Sequence, residues 1–314
     1  MRKINKSILL TLTTVGLSVS YSSLFATENN LQQATNSPKQ LLAQSQTIPY
    51  VYKYLDENKR ESYEFLKKQL NASIQDAKKP SQDKVINNLW ALSVTNPKIK
   101  TRERDGKTEF LMVSWLYSSN PNTDWPVGTK QISRQTWLTA FPQVQEFCQN
   151  CKGTGINLPG NVMLALRLQQ YLGLILNKSA NKTHFVEMWV KAEDLSRPCI
   201  DPEINDSTCN VLPVPVPKSN SLLHDIYKNS FENDKQEYYP WTGLGYTYDW
   251  GNPKKPHVGA SEFLINGTNN KPVTVEVVAV KETLEYCNNQ YLNNTFVKIR
   301  AYKNFGKNGK MTHT

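Results

Sequence analysis

Histidine is scarce in this chain, with four residues in 314. None of His184, His224, His257 and His313 sits in an HExxH pattern, which removes the familiar helical zinc-protease signature. No Gly-x-Ser-x-Gly elbow is present, so the strand-to-helix turn that exposes a hydrolase serine is missing. No EF-hand spacing occurs, and there is no internal repeat. Beyond residue 25 no apolar run approaches the roughly 20 residues of a membrane span. Cysteine is absent before Cys148, so the N-terminal apolar stretch ends in no lipid-bearing thiol.

That stretch is the most telling part of what is present. Arg2, Lys3 and Lys6 form a basic head, residues 8–25 are apolar without charge, and Ala26 precedes an abrupt turn to polar composition at Thr27 and Glu28. This is the layout of a secretory signal peptide cleaved near Ala26; retention as an anchor helix is the alternative, though seven Ser and Thr residues weaken its hydrophobicity. Export to the periplasm or beyond permits disulfides. Residues 27–48, rich in Gln, Asn, Ser and Thr, read as a disordered linker, leaving 49–314 as a single domain. The net charge is +10, but Lys and Arg are scattered. This suits solubility or contact with an anionic envelope component or another protein, and no sequence-specific nucleic-acid binding is expected.

Apolar residues from Tyr54 to Ile74 recur at helical spacing and Pro80 ends the run, so 49–80 is expected as a helical segment packing on the domain. Residues 84–95 and 107–118 are expected strands, with Asp105-Gly106 as a turn between them. Residues 120–130 read as a loop. Residues 133–148 read as a helix broken at Pro142, and 161–176 as the best helix of the chain. Residues 184–191 read as a buried strand. Five prolines between Pro198 and Pro217 exclude helix and central strand there, and 219–232 allow a short helix. Residues 261–265 and 273–280 flank a turn-like Asn266-Gly267-Thr268-Asn269-Asn270 and predict a hairpin, and a last strand is expected over 296–302. The fold class is therefore α+β, with helices mainly in the N-terminal and middle parts and an antiparallel β-rich final third.

Five cysteines in an exported chain predict one or two disulfides. Cys199 and Cys209 bridge the proline-rich loop in this reading, and Cys287 pairs with Cys148 or Cys151. The stretch Cys148-Gln-Asn-Cys151-Lys-Gly153-Thr-Gly155 resembles a single zinc-binding repeat of the DnaJ chaperone family. A closed thiolate site needs four ligands, so no metal or other cofactor is expected.

Glu187, Asp249 and Glu262 lie among apolar neighbours in expected strands. Such carboxylates must be paired, hydrogen-bonded or shifted in pKa. Two of them converging could perform acid/base work on a glycosidic bond, whereas strand alternation would turn each outward. Tyr239, Trp241, Tyr246, Tyr248 and Trp250 form the densest aromatic patch and are the candidate ligand-binding residues. Alternation also allows Tyr246, Tyr248 and Trp250 to be core, with Trp241 the exposed member.

Three stretches together resemble an uncharacterised family of exported bacterial proteins: Trp137-Leu-Thr-Ala-Phe-Pro142, Phe185-Val-Glu-Met-Trp-Val-Lys-Ala-Glu-Asp-Leu-Ser-Arg-Pro-Cys199, and Trp241-Thr-Gly-Leu-Gly-Tyr-Thr-Tyr-Asp-Trp-Gly251. The resemblance implies a compartment and no mechanism. The expectation is an exported binding or accessory protein whose aromatic patch and proline loop form a contact surface. The alternatives are an envelope polysaccharide hydrolase using paired carboxylates and a secreted factor acting on host cells.

Overall fold

Asp105 and Gly106 both take positive φ, 52° and 68°, the conformation that a two-residue hairpin turn matching the strand twist demands. They join β1 (Thr101–Arg104) to β2 (Lys107–Leu116). The expected turn is therefore present, but the strand before it is Thr101–Arg104 and not 84–95. The computed structural model describes residues 51–288 apart from Lys152 and Thr154. The leader over 1–26, the linker over 27–48 and the strand over 296–302 lie outside the described residues.

The remaining strands are β3 (Gly128–Ile132), β4 (Gln135–Ala140), β5 (His184–Lys191), β6 (Leu195–Ser196), β7 (Tyr246–Tyr248), β8 (Val258–Ser261), β9 (Phe263–Asn266) and β10 (Val273–Glu282). Eight of the ten form one sheet in the order β3-β10-β5-β2-β4-β9-β6, with β1 added to β2. The other two, β7 and β8, form a small second sheet. Every pairing is antiparallel. With seven helices beside this sheet among the described residues, the fold is α+β.

The centre of the large sheet is buried on both faces, which is why β2 and β5 read as nearly continuous apolar runs. Phe110, Met112, Val186, Met188 and Val190 pack to one side with Val275 and Val277 of β10. Leu111, Val113, Trp115 and Phe185 pack to the other. There they meet Leu164, Leu168 and Tyr171 of the helix Gly160–Tyr171. The opposite side of that helix, through Val162, Ala165 and Leu166, faces Leu55, Leu66, Leu70 and Ile74 of the helices Val51–Asn58 and Arg60–Ala77. A helix buried between two layers has no need of a polar face.

Four expected elements differ. The expected loop over 120–130 holds a short helix, Pro121–Asp124, and the start of β3. Residues 84–95 form no strand and include a bend at Asn87 and a turn at Val94-Thr95. Leu89 and Leu92 donate backbone N–H groups to Ser207 and Ile204 of the proline-rich loop, so irregular chain satisfies irregular chain. Residues 135–140 form β4 in place of the first half of a helix, with Thr136 and Leu138 buried between exposed Gln135 and Trp137. The helix begins only at Gln143. The period of two was there, obscured by the apolar run from Leu138 to Phe141. Finally, β9 and β10 do not pair with each other. β9 lies between β4 and β6, and β10 lies between β3 and β5.

The segment after β6 is irregular as expected, and the Cys199–Cys209 disulfide closes it. Arg197 anchors it from within, donating to the carbonyls of Glu203 and Asp206 at 3.1 and 3.0 Å. Gly245 lies against this knot with φ of 77°; a side chain there would meet Cys209 Sγ and Arg197 Cδ within 3 Å. The second disulfide, Cys148–Cys287, ties the helix Gln143–Gln149 to the last described helix, Thr283–Cys287. No helix among the described residues is long and apolar enough to cross a membrane.

Candidate functional site

Between β8 and β9 the chain changes sheets, and the residue at the changeover is Glu262. Its N–H is held by Gly245 O at 3.0 Å. Its neighbours Ala260, Ser261, Phe263 and Leu264 are all buried, so this carboxyl lies in the interior whichever way it turns. It is buried, at 5 % exposure, and faces a cavity of about 440 Å³. That volume lies within the roughly 300–1,000 Å³ of small-molecule sites.

The cavity is enclosed by β2, β4, the turn Leu172-Gly173-Leu174, the helix Ser221–Phe231, the segment Tyr239-Pro240-Trp241 and β7. Trp115, Trp125, Trp137 and Trp241 contribute rings, four of the chain's seven tryptophans, together with Phe185, Tyr239 and Tyr248. Ser114, Thr136, Thr139, Asn229 and Ser230 place hydroxyl and amide groups among them.

Glu262 is the only acidic residue lining this cavity among the described residues. Burial pushes its pKa up to about 8, against the opposing pull of the Arg197 charge and the Trp241 indole N–H. It is therefore largely protonated at neutral pH and can act as a donor. Its Oε1 has no hydrogen-bond partner, and a buried polar atom left unsatisfied on a cavity wall is costly and marks a place where a ligand completes the bonding.

The other two candidate carboxylates are committed elsewhere. Asp249 accepts from Nη1 and Nη2 of Arg167, at 2.9 and 2.6 Å. Glu187 accepts from Lys281 Nζ at 2.8 Å. Neither lines the cavity. The converging pair that a polysaccharide hydrolase would use is not assembled there.

Of the five aromatic candidates, Tyr239, Trp241 and Tyr248 line the cavity. Tyr246 does not line it and is buried, its hydroxyl donating to Lys84 O at 2.8 Å. Trp250 is also buried, its indole donating to Leu174 O at 2.9 Å. Trp241, expected to be exposed, is only 6 % so. Its backbone bridges Thr247 and thereby folds the Tyr239–Trp241 segment over the cavity. The aromatic patch is thus an interior wall and not an outer contact surface.

Sequence reasoning missed Arg134 and Lys182, the two cationic residues that line the cavity. Lys182 has its pKa lowered by burial and, secondarily, by the Arg134 charge. Neither cation has an ion pair among the described residues. Arg134 directly precedes β4 and Lys182 shortly precedes β5, and no local motif signals that the fold brings them to one cavity.

Cys199, Asp201 and Cys209 gather their ligand-capable atoms within 4.8 Å of one another. Both sulfurs are consumed by the disulfide, which leaves no thiolate for a metal. Cys151 is buried, and that burial raises its thiol pKa, so it is a poor nucleophile.

Fold and site together define an antiparallel α+β protein, stapled by two disulfides, with an aromatic-walled cavity and one neutral carboxyl group on its wall. A comparison with protein-family models, curated proteins and solved structures finds no match in any of the three.

Proposed function

We propose that the chain is an exported binding or accessory protein and that the cavity beside Glu262 is its ligand site. The observation that carries this reading is Glu262, a buried carboxyl whose Oε1 has no hydrogen-bond partner, on the wall of a 440 Å³ cavity. Two disulfides support maturation in an oxidising compartment. A single carboxyl group without a second one opposite supports binding over glycosidic hydrolysis.

The test is a ligand-observed NMR screen of small fragments against the full chain and against Asn229→Trp. Asn229 is exposed at the cavity rim, so the larger ring blocks the opening without entering the core. The reading expects fragments that bind the wild type and are lost in the blocked variant at unchanged Tm. Absence of binders, or binders indifferent to the block, would overturn it.

A further inference from the structure

Arg134 and Lys182 line the same cavity as Glu262 with no carboxylate facing them among the described residues. Arg134 is exposed and Lys182 is partly buried, and burial together with the Arg134 charge disfavours the charged form of Lys182. An anion between them offsets this. Glu262, protonated, offers a donor, and the Trp241 N–H lies beside its carboxyl, so that part of the wall seeks an acceptor oxygen. The cavity lining combines Trp, Phe and Tyr residues with Ser, Thr and Asn residues. A hydrocarbon ligand would bury those hydroxyls and amides without partners. A sugar ring satisfies both features, laying its C–H face on an indole and its hydroxyls against Ser, Thr and Asn side chains.

We infer that the cavity binds an acidic saccharide, a pyranose unit whose carboxylate sits between Arg134 and Lys182 while one of its oxygens meets Glu262 beside Trp241. This rests on the cavity being a ligand site, and it adds the ligand's class and orientation. Charge-assisted bonds from guanidinium and ammonium to a carboxylate are stronger than neutral ones, so the acid is expected to bind more tightly than an otherwise identical neutral sugar. Lys182 and Arg134 are then retained for recognition at some expense of stability.

The experiment is isothermal titration of the full chain with a galacturonic acid disaccharide and with its methyl ester, repeated on Lys182→Met and Arg134→Gln. The wild type is expected to prefer the acid by about tenfold or more. Each variant is expected to lose most of that preference while keeping its affinity for the ester, and Lys182→Met is expected to match or exceed the wild-type Tm. Equal binding of acid and ester, or a preference unchanged in both variants, overturns the anionic assignment and leaves the cavity reading standing. No binding of either disaccharide, with fragments still lost in Asn229→Trp, overturns the saccharide class alone. Failure of the fragments as well removes both readings.

Discussion

Arg197 and Glu262 are buried neighbours that do not form an ion pair. The guanidinium lies 4.8 Å from the ring centroid of Phe263, the residue next to Glu262. Its Nε and Nη2 donate to the carbonyls of Glu203, Ile204 and Asp206 in the loop and of Trp90, and Nη1 is left without a partner. Burial lowers its pKa to about 10, opposed by Asp206, Asp201 and Glu262. Had the two side chains met, Glu262 would be a charged structural residue. Because Arg197 serves the loop, the carboxyl stays neutral and turns to the cavity.

That separation has a consequence for stability. The folded-state pKa of Glu262, about 8, exceeds its ordinary value of 4.5. Below about pH 4.5 both states carry the proton and the group imposes no penalty. As pH rises toward 8 the unfolded chain releases the proton first, so this contribution falls with pH and levels off above 8. Glu262→Gln has no such proton to lose. Urea titrations at several pH values are expected to show the variant gaining on the wild type between pH 5 and 8, by a few kcal/mol in total.

Arg167 and Asp249 form the most enclosed of the ion pairs, with both side chains largely buried. Removing one partner strands the other in the interior. Arg167→Met and Asp249→Asn are each expected to lose about 3–5 kcal/mol. The double variant should lose clearly less than the two single losses together, as the coupling of contacting residues requires. Denaturant unfolding of the three variants measures this.

The two disulfides differ in the length of chain they close, 10 residues for Cys199–Cys209 and 139 for Cys148–Cys287. Loop-closure entropy assigns roughly 2–3 kcal/mol to the short bridge and about 5 to the long one. Replacing Cys148 and Cys287 together by Ser should therefore lower the urea midpoint further than replacing Cys199 and Cys209. Hydrogen exchange should localise the second loss to the segment Arg197 holds.

Trp241 separates packing from recognition. Its burial makes Trp241→Ala a core truncation, expected to cost about 3–5 kcal/mol. Trp241→Phe keeps a ring in the wall and removes the N–H. Its expected signature is a smaller loss of Tm with a reduced affinity for cavity ligands, read by calorimetry.

How much of this was legible in the sequence depends on whether local pattern or long-range pairing decided the outcome. The strand over 184–191 and the helices before Pro80 follow from their own residues, and so does the Asp105-Gly106 turn. The partners of β9 and β10 do not, since a turn-like Asn-Gly segment between two strands suggests a hairpin whether or not the sheet makes one. Glu262 stood out as a carboxylate among apolar residues. That it faces a cavity depends on long-range packing, which no local pattern encodes. Arg134 and Lys182, 48 positions apart by their numbers, carry no shared signal at all.

The most direct test is carbon-13 NMR of the Glu262 side-chain carboxyl in the full chain, titrated alone and with a fragment that binds. The account predicts a midpoint near pH 8, displaced on addition of the fragment in the wild type and unmoved in Asn229→Trp. A carboxyl that titrates near 4.5 and ignores every bound fragment would contradict it.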